Sequence, residues 1–336
     1  MTNHLDMLKD GQKIKMEGHE LLKFKFAPGN VFWIKKNNKL VRILKTGDYM
    51  DRDILYKYMN KCAPLVLERL INVKWIEEAF EHFMDLKHAK NLNEQIEARA
   101  KILKIIGPVY WHGINEGSLI DLIHLGEKVF FKLPEKEIRQ LYQGEMDFFK
   151  MNALAGMVSV LFSLTVGYMD FAFLADIYHV GFFVDYSLIE EKIDWTMKEA
   201  VLLEVKMPGD GIKKLSLQTG KNDVGCFVSH PEQSYIRVKE KINNLFNSKD
   251  CLRLLTKHHE ALNGAGFPNG IGENQLSDLE TIIISSSRCC QLDHDLVLGD
   301  GKGFFKDIRK FISNRISVAL KSCFEYQGEN DSAKVA

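Results

Sequence analysis

Lys257–Gly270 reads KHHEALNGAGFPNG. Adjacent histidines His258 and His259 close a helical stretch, Glu260 follows at once, and Gly264, Gly266 and Pro268 punctuate the loop beyond. Imidazoles set beside a Gly-rich loop are materials for a metal site. The same residues also suit a helix-end pair, one ring buried and the other capping carbonyls, followed by a tight turn for which Gly and Pro serve equally well. Working outward, Ser229-His-Pro-Glu232 supplies another histidine, His230, which reads either as a ligand or as a histidine at a helix N-terminus. Further upstream, Leu174–Gly181 (LADIYHVG) sets Asp176 and His179 into an apolar run. A carboxylate there needs a partner, either a metal or a hydrogen-bonded network.

Together these stretches resemble the HD-GYP family of bacterial cyclic di-GMP phosphodiesterases, in which HHE precedes a G-x-G-Y-P loop. The match covers His258, His259, Glu260, Gly264, Gly266 and Pro268, with Phe267 in place of the tyrosine. Ser229–Glu232 resembles the family's H-P-E element. Leu174–Gly181 resembles its H-D-x-G-K-x-G segment, with Ala175 for the histidine, Tyr178 for the glycine and His179 for the lysine. The helix from Asn152 stands where the family carries its first histidine, and neither Met151 nor Asn152 can replace that ligand. Ile282–Ser287 aligns with the helix ending in the family's last metal-binding aspartate, so Ser287 occupies that place.

The resemblance implies two metals in the family and at most one here. Asn152, Ala175 and Ser287 replace ligands of the first metal, while Asp176, His230, His258 and His259 remain as a donor set. Three imidazoles and a carboxylate suit one divalent iron, manganese or zinc ion, or the histidines hold no metal at all. His179, in the lysine's place, reads as a core or supporting histidine before it reads as a ligand, and is the candidate catalytic contact to phosphate when protonated. The loop Gly264, Gly266, Phe267 and Pro268 is by resemblance a docking surface for diguanylate cyclase domains, with Phe267 expected to be exposed. The family's phosphate-gripping basic residues are missing: Gln291–Asp300 is acidic and apolar, and Arg288 and Lys302 are the nearest cations.

The rest of the chain sets the frame. Its 336 residues carry 45 Lys+Arg against 45 Asp+Glu, a formal net charge of zero that gives no bulk reason to expect nucleic acid or an anionic membrane. Six cysteines without a C-x-x-C pair point to a reducing, cytoplasmic setting. The opening residues lack a secretory signal. The uncharged run Met151–Met169 approaches a membrane span in length, but its polar residues and the ionisable ones just beyond it favour a buried core helix. G-x-G-x-x-G, Walker A, G-x-S-x-G and zinc-finger spacings are absent, and Gly299–Gly303 reads as a loop.

The expected fold is mainly α: a small α/β N-terminal domain over 1–72, a linker helix over 73–107, an all-helical HD-type domain over 108–326, and a flexible tail over 327–336. Val31–Ile34 and Lys39–Leu44 form a hairpin, Asp51–Met59 a helix and Pro64–Leu70 a third strand. Trp75–Ile106, without Pro or Gly, reads as one long helix ending at Gly107-Pro108, a solvated connector or dimer-forming element. The resemblance makes the chain a divergent member acting by nucleotide or partner binding. The rivals are an active phosphodiesterase with an altered site and a metal-free scaffold.

Overall fold

The structure, a computed structural model, describes residues 13–61, 64–69, 71–111, 119–133, 146–191, 221–291 and 313–320, together with 200, 210, 212–213 and 322–323. The expected tail at 327–336, Lys302 with the Gly299–Gly303 loop, and the acidic stretch beyond Gln291 lie outside the described residues.

The chain is mainly helical with one small sheet. β1 (Lys13–Met16), β2 (Gly29–Ile34), β3 (Leu40–Leu44) and β4 (Leu65–Arg69) form an antiparallel sheet in the order β1-β4-β2-β3. The β2–β3 hairpin turns at Asn37-Asn38, where Asn38 takes a left-handed φ of 58° and the Asn37 side chain accepts from Lys39 N–H. One face of the sheet buries Met16, Val31, Leu44, Leu65 and Leu67 against Leu21 of α1 (Gly18–Leu21) and Leu55 of α2 (Arg52–Met59). Asp51 caps α2 by accepting from Asp53 and Ile54 N–H. β1 and α1 are additions to the elements expected from the sequence.

This unit is docked on the helices. Lys150 Nζ lies 2.7 Å from Asp48 Oδ1, with both side chains buried. Phe26 packs edge-on against Tyr49, His124 and Phe131. Burial pushes His124 down to about 4, so its ring is neutral while Nε2 contacts the Ala27 carbonyl at 3.3 Å.

The long connector helix is two helices, α3 (Val73–His88) and α4 (Leu92–Trp111). Ala89 turns extended, and Asn91 accepts from Glu94 N–H, so a cap starts a new helix without Gly or Pro to announce it. Gly107-Pro108 does not end α4, which runs on to Trp111. Nor is the pair a solvated connector. Trp75, Ala79, Phe83 and Leu86 of α3 and Ala98, Ile102 and Ile106 of α4 are buried in the main core, and Trp75 Nε1 donates to the Ile105 carbonyl.

α5 (Leu119–Val129), α6 (Met146–Val166) and α7 (Phe171–Phe183) complete the centre. Every residue of α6 from Lys150 to Thr165 is buried, as expected of a core helix without a polar face. Among the described residues no helix is long and apolar enough to cross a membrane. α6 and α7 approach so closely that a Cβ on Gly181 would stand 2.8 Å from Gly156 Cα, which makes this crossing specific for glycine.

Candidate metal centre

α7 positions the first acidic side chains. Asp170 caps it by accepting from Phe173 N–H at 2.7 Å, and the helix is buried from Leu174 to Phe183. It ends just before Asp185, and α8 (Tyr186–Glu191) begins at once. α8 is tied to α9 (Lys221–Lys241): Ser187 N–H donates to Ser234 Oγ, and Ser187 Oγ donates to the His230 carbonyl, both at 3.1 Å. His230 therefore lies within α9, with Pro231 inside the same helix rather than at its start. His258 and His259 follow the 3-10 segment Cys251–Lys257.

Asp185, His230, His258 and His259 converge, their candidate ligand atoms all within 4.8 Å of one another. All are buried, with exposures of 0% for Asp185, 1% for His230 and His258, and 2% for His259. His230 Nδ1 donates to the Phe227 carbonyl at 2.5 Å and His258 Nδ1 to the Leu255 carbonyl at 2.8 Å. A carbonyl can only accept, so these contacts place the ring protons on Nδ1 and turn both Nε2 lone pairs inward. The two Nε2 atoms stand 3.1 Å apart, and Asp185 Oδ1 lies 3.4 Å from one and 3.3 Å from the other. His259 Nε2 is buried there without a hydrogen-bond partner.

Burial pushes the Asp185 carboxyl upward, but hydrogen bonds and charge from His230 and His258 outweigh it and hold the group well below its usual range. Burial lowers His230. His259 falls well below an ordinary histidine through burial, then through its two neighbouring imidazoles. With Nδ1 of each ring already donating, the bonds from His230 and His258 to Asp185 need a second proton on Nε2. The carboxylate and the two inward-turned Nε2 atoms therefore call for positive charge at their centre, which a metal cation in place of the ring protons would supply. Metal–nitrogen bonds of about 2.0–2.1 Å in a tetrahedron separate ligand atoms by about 3.3 Å, close to the spacings among Asp185, His230 and His258, with His259 inside the 4.8 Å limit of the group. The donor set fits one metal ion.

The structure replaces one expected ligand. Asp176 does not join the cluster: its carboxylate accepts from Asn247 N–H at 2.8 Å, Asn247 Nδ2 at 3.0 Å and Ser248 N–H at 2.8 Å. Asp176 sits inside α7 and Asp185 just beyond its end, at the junction with α8, so the two carboxylates are held by different elements. Sequence reading missed Asp185, although it closes the same apolar run and carries the same signal, an ionisable group among Phe182, Phe183 and Val184.

His179 is also elsewhere. It is buried among Tyr178, Phe183 and Phe246 and stacked on Phe183 at 17°. Burial pushes it down to about 4, so it is neutral at physiological pH and does not supply the expected charged contact to phosphate. The replaced positions Asn152, Ala175 and Ser287 are buried as small uncharged side chains. Nearby on the same helices, Ser159 Oγ meets Ser286 Oγ at 2.6 Å, while Asn152 Nδ2, Ser285 Oγ and Ser287 Oγ have no partner.

The loop after His259 folds back on the cluster. Glu260, itself buried, accepts from Asn269 and Ile271 N–H, and its carbonyl accepts from Arg288. Phe267 N–H donates to the His259 carbonyl. Gly266 passes so close that a Cβ would stand 2.3 Å from that carbonyl oxygen, and Gly264 takes a φ of +74°. Contrary to the sequence expectation, Phe267 is not exposed. It retains 5% exposure and stacks on His259 at 4.6 Å and 12°; Pro268, Asn269 and Gly270 form the exposed tip.

No family model matches the chain, and no curated protein matches it. Among solved structures the chain is similar to Bd1817, an HDG"Y"P protein from Bdellovibrio bacteriovorus, at 16% identity and a TM-score of 0.38, over 94% of this chain and 100% of that one.

Proposed function

We propose that this chain is a divergent HD-GYP-type protein of bacterial cyclic di-GMP signalling, holding one divalent metal ion and acting by nucleotide or partner binding instead of efficient phosphodiester hydrolysis. The reading is carried by one contrast. Asp185, His230, His258 and His259 together offer three imidazoles and one carboxylate, with Asp185 in place of the expected Asp176. The positions that the resemblance assigns to the other metal hold Asn152, Ala175 and Ser287, which bring neither imidazole nor carboxylate.

A bound divalent ion would supply Lewis acidity at the four donors. A second cation would be needed to clamp both the attacking and the leaving oxygen of a phosphodiester, and the replaced side chains offer it no charge. Neutral, buried His179 adds none. Arg288, whose guanidinium donates to the Glu260 carbonyl, fixes the loop. For a protein partner such as a diguanylate cyclase domain, the accessible part of the loop is Pro268–Gly270, with Phe267 as its buried root.

The test is to mix metal-loaded protein with cyclic di-GMP, following binding by calorimetry and linear product by chromatography. Binding without product is expected. Multiple turnover that disappears in His258→Ala would overturn the proposal in favour of a working phosphodiesterase.

A further inference from the structure

The cluster's burial bears on what its ion would do. Catalytic zinc-type sites keep a coordination position for water or substrate, while structural sites fill every position with protein. Here four side chains from three separate stretches converge, enough for a complete tetrahedral sphere: Asp185 from the α7–α8 junction, His230 from within α9, and His258 and His259 from the end of the 3-10 segment.

The surroundings close the site further. Phe227 is fully buried and sits 5.5 Å from the His230 ring and 5.9 Å from that of His259. Phe267 stacks on His259 at 4.6 Å and lies 5.3 Å from Phe227. The His259 ring thus has one phenyl laid on it and a second close by. The backbone contacts that orient the imidazoles are internal too, to the Phe227 and Leu255 carbonyls. The G-x-G-F-P loop serves this closure: Gly266 permits the approach and Glu260 grips the loop's amides, which sets Phe267 in place.

We infer that Asp185, His230, His258 and His259 form a closed, four-ligand metal centre that cross-links the α7–α8 junction, α9 and the motif loop, and presents no open position to a phosphodiester. This rests on the metal-binding reading above. Metal availability then controls the order of the loop and of its exposed tip Pro268–Gly270, so any partner docking there is metal-dependent while no substrate touches the ion. Removing the ion would leave a buried carboxylate facing inward-turned nitrogens, which favours separation of the segments that carry them.

The test uses the full-length chain loaded with cobalt(II), whose visible absorption reports its ligands. Addition of azide, then inorganic phosphate, is expected to leave the spectrum unchanged, and removal of metal by chelation to lower the melting temperature by roughly 10 °C. A spectral change with azide or phosphate in the unmodified protein would overturn the inference while leaving the metal reading intact. An unchanged melting temperature after proven metal removal would overturn the cross-linking role. Failure to take up cobalt or zinc at all would defeat the metal reading itself. Phe267→Ala, which keeps every ligand, is expected to make the cobalt spectrum responsive to azide; continued insensitivity would show that the phenyl ring is not part of the closure.

Discussion

Two of the buried polar regions among the described helices are built on opposite principles. Around Asp185, His230, His258 and His259, hydrogen bonds to backbone carbonyls fix the His230 and His258 tautomers so that lone pairs converge beside an ionised carboxylate. Along α6 and α10 (Asp278–Gln291), Asn152, Ser159 and Ser285–Ser287 bury small neutral groups, of which only Ser159 and Ser286 meet each other. Buried polarity alone therefore does not make a metal site. Negative charge and unprotonated donors aimed at one point do, and hydroxyls in a helix-packed interior supply neither.

The largest expected effect breaks the first region. His258→Ala should abolish metal binding and cost about 3–5 kcal/mol by denaturant unfolding, because removing one member leaves a buried carboxylate without its compensation. A smaller loss separates the two aspartates. Asp176→Asn should leave metal content unchanged yet destabilise the fold by about 2 kcal/mol, since the single amide oxygen cannot replace two carboxylate oxygens receiving three N–H groups, and the new NH2 faces a donor.

His179 sharpens the contrast through pH. Its folded-state value is about 4 against an ordinary 6.5, so the unfolded chain binds the proton more readily. Stability from this group is complete above about pH 6.5 and is lost as pH falls towards about 4. His179→Phe should flatten that acid limb by about one proton in stability-versus-pH measurements, with little change at pH 8. The smallest effect lies in the serine row. Ser287→Ala should shift unfolding by less than about 1 kcal/mol and leave metal content unchanged, because the hydroxyl it removes has no partner.

Much of this was legible in the sequence where the determinants are local. The hairpin, α2, the apolar core helix and the HHE–loop unit follow from turn residues, apolar periodicity and one compact motif. The division of α3 from α4 was not, because Asn91 caps a new helix amid strong helix formers and nothing in composition marks it. β1 is four residues long and becomes a strand by pairing with β4, a partner distant in sequence. Asp185 is illegible for a geometric reason: it lies past the end of α7, and its convergence with His230, His258 and His259 comes only from the packing of the α7–α8 junction against α9. Phe267 reads as exposed because loops usually are, but Glu260 pulls its loop inward.

The most direct test of the central claim is metal content per chain by elemental analysis, on protein purified without chelators or a histidine-rich tag, for the wild type, Asp185→Ala and Asp176→Ala. About one equivalent in the wild type and in Asp176→Ala, with none in Asp185→Ala, is the predicted result. Two equivalents in the wild type, or metal kept without Asp185 and lost without Asp176, would contradict the account.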